Sequence, residues 1–490
     1  MSRFTRCFRL RWKKDGGYRE LFVIALPLIA STATWSVQHF VDRMFLAWYL
    51  PDAVAAAMPA GLLSFTVSCI FIGTAGYVGT FTAQYFGAGI LEKCGPSLWQ
   101  GLYVALIGGT VQLMFIPPAG FLFAVVGHGP DIRVLERLYF SILCGGGYFI
   151  IASSAMAGFL SGLGRTRPVM WVNITATAVN LFLDWLLIFG NWGFPEMGIT
   201  GAGVATVAAL AIGTIIYGFI IAGPRYRKKF ATLRGWRYDR PLFRSLVRYG
   251  FPSGIQFFID VAGFTIFSLL MGRLGMEALA ATTIAFNIST LAFMPMIGIG
   301  IATSVLVARR LGENRPDLAS DSTWSAFHVT FGYMALLSLL YVTLPDLFIM
   351  PFARTSDTAT FAAIEQYTIF LLRFVAVYSL FDTMNIIFSS ALKGAGDTRY
   401  IMIVTFVLSL LLLVVPAWTA AVLFSGGLYL LWTIASIYIM STGCIFLYRF
   451  LGGAWKSMRV IEEVPIVVPP AAPETPLSDP TFANTPRRHA

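Results

Sequence analysis

The sequence predicts an all-α polytopic membrane protein with twelve transmembrane helices in two pseudo-symmetric six-helix lobes. Three observations lead there. Of 490 residues, 57% are hydrophobic and only 12% charged, with a mean hydropathy of +0.73, against about 25% charged residues in soluble proteins. Apolar runs long enough for a bilayer recur along the chain, each helical crossing needing about 20 residues. The second half of the chain echoes the first. This composition excludes a soluble fold, a disordered chain and a coiled coil, none of which hides so much apolar surface.

The first twenty residues are basic and precede an apolar run from Leu21 to about Leu50. A signal peptide has an apolar core of about 7–15 residues, so this longer run reads as an uncleaved first span. Spans are expected near 21–48, 55–88, 98–124, 134–160, 169–190 and 200–223, then 243–273, 278–308, 322–351, 361–391, 400–424 and 427–450. They divide the chain into a basic N-terminus (1–20), an N-lobe (21–223), a basic interlobe loop (224–242), a C-lobe (243–452) and a tail (453–490). From about Val464 the tail is rich in proline and poor in aromatics, so it is expected to be disordered.

Twelve spans put both termini on one side, and 29 of the 35 Lys/Arg fall there, leaving only Arg43, Arg133, Arg137, Arg273, Arg354 and Arg373. Cytoplasmic loops carry the Lys/Arg excess, so both termini are expected in the cytoplasm of a multi-pass protein of the bacterial inner membrane. The stretch from Arg225 to Arg248 is the most basic and reads as a topology anchor beside anionic lipid; no nucleic-acid partner is expected. The five cysteines (Cys7, Cys69, Cys94, Cys144, Cys444) are scattered without CxxC spacing, and the four histidines are far apart. Neither a disulfide framework nor a zinc site follows from that pattern.

At an offset of 225 residues Pro27 falls on Pro252, Gly87 on Gly312 and Trp99 on Trp324. LSGLGRTRPVM (160–170) matches LKGAGDTRYIM (392–402) at an offset of 232. Transporters are commonly built from such repeats, with the substrate site near the midplane where the halves meet. Six helices separate the copies, so both have the same orientation and their axis runs along the membrane normal. The Gly-rich GGGYF (145–149) lies within a span and lacks a lysine, so it reads as helix packing and not as a phosphate loop.

Twenty of the 24 acids lie in loops, tails or span ends; Asp42, Asp184, Asp260 and Asp382 lie deeper. A charged residue at mid-helix costs about 2.5–3.5 kcal/mol on insertion scales, so four of them imply a cavity or pathway. An amide precedes three of these acids by one turn: Gln38 before Asp42, Asn180 before Asp184, and Gln256 before Asp260. The i,i+4 spacing sets each pair on one helix face, where oxygens can converge on a small cation or share a proton. Asn173 continues the stripe of Asn180, and Asn385 follows Asp382. Arg43 adjoins Asp42, but i,i+1 neighbours do not share a face. A carboxyl withdrawn from water takes up a proton more readily, and carboxylate, amide and hydroxyl oxygens also suit sodium. One charge moving through the membrane potential supplies about 2.3 kcal/mol per 100 mV, enough for roughly a fifty-fold substrate gradient.

The chain resembles the MATE (multidrug and toxic compound extrusion) family over essentially all of residues 18–452. The resemblance rests on ALPLIASTATWSVQHFVDRMFLAWYL in span 1, YGFPSGIQFFIDVAGFTIFSLLMGRLGMEALAATTIAFN in spans 7 and 8, NLFLDWLLIFGNWGFPEMGITGAGVAT, and the paired GLGRTR and LKGAGDTR loops. It implies two six-helix lobes around a central cleft and the exchange of organic cations or drugs for H+ or Na+, with no cofactor and no metal beyond Na+ at the coupling site. It further implies an N-lobe site of Asp42, Asn180, Asp184 and Thr206, and a C-lobe site of Asp260 and Asp382. Asp260 is a shorter variant, since many members carry Glu on span 7. Pro27 stands where similar proteins bend span 1. Gln38, Gln256, Asn173 and Asn385 are supporting polar groups, and Trp35, Phe257, Phe258 and Phe264 are candidate aromatic contacts for organic cations. A monomer in the lipid bilayer is expected. The rival is a lipid-linked oligosaccharide flippase of the same superfamily, which would line its cleft with basic residues. An enzyme is not expected, because the spans hold no Ser/His pair or His cluster.

Overall fold

The computed structural model describes residues 11–462 apart from 13, 127–128, 354–357 and 425. Arg354 and the proline-rich tail from Val464 lie outside the described residues. Among these, regular structure is helical throughout. The first half comprises α1 (Tyr18–Tyr49), α2 (Pro51–Gly76) continued by α3 (Val78–Gly87), α4 (Cys94–Met114) with the short α5 (Ala119–Val126), α6 (Pro130–Gly145) with α7 (Gly147–Gly162), α8 (Thr166–Phe189) and α9 (Ile199–Ala222). A connector helix, α10 (Pro224–Phe230), leads to the second half: α11 (Arg240–Gly272), α12 (Met276–Gly312), α13 (Pro316–Thr343), the short α14 (Pro345–Ala353), α15 (Thr358–Ala395), α16 (Thr398–Leu408), α17 (Val415–Val422) and α18 (Leu428–Leu451).

Ten helical stretches among the described residues are long and apolar enough to cross a membrane, and the bent pair α6–α7 makes an eleventh. The twelfth span is α4. Its 21 residues reach about 30 Å at 1.5 Å per residue, although Gln100, Gln112 and its glycines lower its hydropathy. Where the spans break, the sequence supplies the cause. The span expected at 98–124 is two helices, because Pro117 and Pro118 end the ladder after Met114. The Gly145–Gly147 run is a 43° break in its span. A Cβ on Gly146 would lie 2.5 Å from Val207, and one on Gly147 would lie 2.0 Å from Gln112, so these glycines let α9 and α4 pack close. Pro416 has no N–H, and its ring presses on the carbonyl four residues back; the ladder widens there into a π-turn over Ser409–Val414, between α16 and α17. α1, by contrast, runs unbroken through Pro27.

The halves meet along a seam made by α1 against α12, α2 against α11, and α3 against α12. Glycines bring backbones together there. A Cβ on Gly73 would lie 2.6 Å from Gly254 Cα, and one on Gly298 would lie 2.8 Å from the Ile29 nitrogen. Likewise Gly87 lies against the Arg309 carbonyl and Gly312 against the Gln84 carbonyl, at 2.1 and 2.2 Å for the added carbon. The pairs are interchanged by the repeat: 73 and 298, 29 and 254, 84 and 309, 87 and 312 each differ by 225. The two halves therefore meet about a pseudo-two-fold axis that passes through this seam.

These contacts lie at mid-depth or on the side that carries Tyr18 and Leu451, here the terminal side. More bonds join the halves on that side. Arg310 holds Glu20 at 2.7 Å, Lys14 holds Asp321 at 2.7 Å, and the Tyr77 hydroxyl donates to the Lys393 carbonyl at 2.6 Å. Towards the other side α1 and α11 leave Trp35, Phe40 and Phe264 exposed, and no ion pair joins the halves there among the described residues, which we read as a cleft between the halves that opens on that side.

Two terminal-side segments are more ordered than the sequence suggests. The interlobe loop forms α10 and a 3-10 turn, Arg234–Trp236, which dock on α4; Trp99 donates to the Thr232 carbonyl at 2.6 Å and Tyr103 to that of Trp236. Residues 453–462 depart from the expected disorder of the tail. They form a strap under the seam, with Trp455 buried and stacked on Phe450. The Val460 N–H donates to Gln84 Oε1 at 2.9 Å, while Gln84 Nε2 donates to the Gly394 carbonyl at 3.1 Å. Gln84 thus ties the first half to both the second half and the strap.

The seam has no room for a methyl group. Overpacking a tight site costs about 1–3 kcal/mol, so Gly312→Ala should open the terminal side and lower the closed population roughly ten-fold or more. Spin labels at the exposed Lys93 and Arg315 would report a longer distance. Gly218→Ala, which meets nothing within 4 Å, should leave that distance unchanged; equal shifts in both would refute the steric account.

Candidate functional site

The first-half site is built by four helices. α8 packs along α1 and α9, and Asn173 struts all three: it donates to Ser31 at 2.5 Å and accepts from the Tyr217 hydroxyl at 3.0 Å. Asn173 is thereby occupied three turns away from the acids. Further along the same helices Asp42 of α1 and Asp184 of α8 lie side by side. Asn180 and Asp184 are fully buried. Both amide atoms of Asn180, both oxygens of Asp184 and Oδ1 of Asp42 have no hydrogen-bond partner among the described residues. Folded proteins pair nearly all buried polar groups, and each one left unpaired costs about 1–3 kcal/mol. The four oxygens of this cluster can hold a small cation or a proton, and the Asn180 amide nitrogen beside them is a hydrogen-bond donor.

Thr206 of α9 gives its proton to the Ala202 carbonyl at 3.0 Å, which leaves oxygen lone pairs beside the cluster. Tyr139 of α6 stands near Asp42, Asp184 and Thr206. Gln38 is half-buried one turn before Asp42, with no hydrogen bond among the described residues. Arg43 is exposed and makes no ion pair with Asp42, in keeping with the different faces of neighbouring residues.

The second-half site is differently furnished. Gln256 donates to Asp260 at 2.8 Å on α11, and Asn385 donates to Asp382 at 3.0 Å on α15. Each acid therefore has its own amide, and the i,i+4 pairing read from the sequence is a formed bond at Gln256–Asp260. Asp382 is buried, whereas Asp260 is exposed to the cleft. Lys393, three turns further along α15 and half-buried, is the cation whose field reaches Asp260. Tyr438 of α18 lies near both acids and beside Ser409, at the start of the π-turn. Ser409 Oγ in turn lies 3.2 Å from where a Cβ on Gly263 would sit, so the widened turn faces α11 less than one turn past Asp260.

Of the four aromatics singled out in the sequence, two come together. Trp35 meets Phe65 at 6.0 Å between ring centroids, and Phe65 meets Phe257 at 5.8 Å, so an aromatic row crosses the seam from α1 through α2 to α11. Phe264 instead packs on Phe286 at 4.6 Å, and Phe258 is half-buried without a ring contact among the described residues. Tyr139, Phe65, Lys393, Ser409 and Tyr438 are the site residues that sequence reasoning missed. Lys393 carried a signal, as a lone lysine in the repeat of a loop that has Ser161 at the matching place; the others look like ordinary span residues.

A membrane-embedded helical bundle in which two related halves each hold two carboxylates within their spans is a transporter and not an enzyme. The MatE family pattern matches residues 27–186 and 252–419, one segment in each half, and the chain belongs to that family. A probable multidrug resistance protein NorM of Bradyrhizobium diazoefficiens is 29% identical over 385 residues, covering 78% of this chain and 81% of that one. Its counterpart from Thermotoga maritima is 25% identical over 451 residues, 90% of this chain and 94% of that one. Among solved structures, the outward-facing conformation of a multidrug resistance MATE family transporter of the MOP superfamily has the same fold, with a TM-score of 0.81 at 19% identity over 91% of this chain and 98% of that one.

Neither amide atom of Asn180 has a hydrogen-bond partner among the described residues, so an apolar side chain there removes an unpaired buried polar group. Asn180→Leu should leave the melting temperature of the detergent-solubilised protein unchanged or raised, whereas Gln256→Leu, which breaks a bond to Asp260, should lower it. A drop of several degrees for Asn180→Leu would show that its amide is paired after all.

Proposed function

We propose that the protein is a secondary active multidrug efflux antiporter, exporting organic cations in exchange for H+ or Na+ by alternating access between an N-lobe (21–223) and a C-lobe (243–452). The observation that carries this reading is the Asp42–Asp184 pair with Asn180. Two carboxylates facing each other out of water repel strongly unless a proton or metal ion lies between them, so the first-half cluster is the coupling-ion site. Asp260, open to the cleft and next to the aromatic row of Trp35, Phe65 and Phe257, is the counter-charge for the organic cation; aromatic faces add cation–π attraction. Asp382 supports it from α15. The names of the NorM relatives favour drugs as the cargo.

The basic terminal side is the cytoplasmic one by the Lys/Arg excess, and the seam is shut there, so the described conformation is outward-open. Exchange then requires the glycine crossings, the Glu20–Arg310 pair and the strap to part on the cytoplasmic side while the outer halves close. Ion binding at Asp42 and Asp184 draws α1 towards α8 in the outer half, which is how a small cation on one side of the bundle changes the cleft.

Efflux of a fluorescent organic cation from proteoliposomes, under an imposed proton or sodium gradient, tests this. Asp184→Asn should abolish gradient-driven efflux while substrate affinity stays within a few-fold of wild type. Asp260→Asn should weaken substrate binding by about ten-fold or more, the effect of losing roughly 1.4 kcal/mol of charge attraction. The gradient that drives wild type names the ion. If wild type moves no organic cation under either gradient, the antiporter reading fails and the flippase takes its place.

A further inference from the structure

The terminal side also carries basic residues that make no ion pair or hydrogen bond among the described residues. Arg240, Arg244 and Arg248 recur at four-residue intervals from the start of α11, so they form one stripe. Arg399 stands in the first turn of α16, which packs along α11. Between the two helices runs a groove of about 530 Å³ lined by Pro241, Arg244, Ser245, Val247, Arg248 and Arg399, with Glu462 from the end of the strap at its edge. That volume lies within the usual range for small-molecule sites.

All four arginines are exposed, and none makes an ion pair or hydrogen bond among the described residues. Three other arginines on the same side are taken: Arg310 by Glu20 and Glu313, Arg309 by Glu313, and Arg449 by Asp397 at 2.8 Å. The last pair matters most, because Asp397 is the acid nearest to Arg399 in sequence and is already engaged. The groove thus gathers three unpaired guanidinium groups against one carboxylate.

Its position fixes the chemistry of the occupant. The apolar part of α11 begins at Tyr249, so Arg248 stands at the membrane boundary, with Arg244 about 6 Å further out. One turn inward on the same faces, Phe251 of α11 and Ile403 of α16 are exposed, as is Phe406 two turns inward. A phosphate in the groove therefore has an apolar track leading from it into the bilayer. We infer that the groove is a binding site for an anionic phospholipid, its phosphate held by Arg244, Arg248 and Arg399 and an acyl chain laid along Phe251, Ile403 and Phe406. Basic pockets between transmembrane helices on the cytoplasmic side suit such head groups, and planar guanidinium groups suit phosphate oxygens. Free phosphate would satisfy the arginines but not the apolar track.

The test uses the full-length chain in detergent, incubated separately with phosphatidylglycerol, phosphatidylcholine and inorganic phosphate, with bound lipid counted by native mass spectrometry. Phosphatidylglycerol should be retained where phosphatidylcholine is washed away. In Arg244→Gln/Arg248→Gln/Arg399→Gln its affinity should fall by about a hundred-fold, on the basis of three surface charges. Arg225→Gln/Arg227→Gln/Lys228→Gln removes as much charge from α10 and should keep the lipid. Equal losses in both triple variants would overturn the site, as would phosphatidylglycerol held equally well by the first triple variant and wild type. If inorganic phosphate competes fully and Phe251→Ala/Ile403→Ala leaves lipid affinity unchanged, the occupant is a free anion and the lipid assignment is wrong. Should the triple arginine variant fail to fold, Arg248→Gln alone must show a several-fold loss.

Discussion

Backbone meeting backbone at the seam is the constraint on which the rest of the structure depends. Where α2 crosses α11 and α1 crosses α12, Gly73, Gly254 and Gly298 leave room for backbone to approach backbone. Gly87 and Gly312 do the same where α3 runs beside α12. Such approach is the usual way for membrane helices to gain van der Waals contact, since lipid offers no hydrophobic drive between them. A seam of this kind holds through shape and carries few polar bonds near the midplane. It can therefore part without uncovering buried charge there, while the ion pairs at its terminal edge set how firmly it closes.

The two halves share a backbone plan but not a chemistry. In the first half the carboxyls of Asp42 and Asp184 face each other, and the amide of Asn180 bonds to neither. In the second half Gln256 and Asn385 each satisfy one acid, and Lys393 stands within reach of Asp260. The first arrangement holds its oxygens in place for something small that enters a closed space. The second presents a partly neutralised charge to an open cleft, where a larger and less specific partner can be met by aromatic faces as well as by the acid. The division of labour we propose between the halves rests on this difference in furnishing, since the repeat alone would predict two equal sites.

Much of this was legible in the sequence because the membrane exaggerates polarity signals. An acid inside an apolar run stands out, so Asp42, Asp184, Asp260 and Asp382 were found from their neighbours alone, and the span count followed from run lengths. Tyr139 and Tyr438 were not legible, because a tyrosine in a span looks the same whether it faces lipid, core or site. Ser409 depended on a π-turn that only the neighbouring Pro416 hints at. The break at Pro117–Pro118 was hidden by the apolar residues on both sides of it, which made one span of two helices. The strap was missed for the opposite reason: it sits next to a proline-rich tail, and its burial of Trp455 and Val460 depends on a surface formed by both halves at once.

Gln84 has a bearing on how the chain is made. Its side chain is buried, and both of its partners, the Gly394 carbonyl and the Val460 N–H, lie more than 300 residues downstream. A ribosome delivers chain from the N-terminus onward at about 5–20 residues per second, so the first half waits tens of seconds for the groups that complete this amide. Over that interval α3 must stay in the membrane with an unsealed edge. The strap that closes it emerges after both halves, which makes it a marker that assembly of both halves is complete.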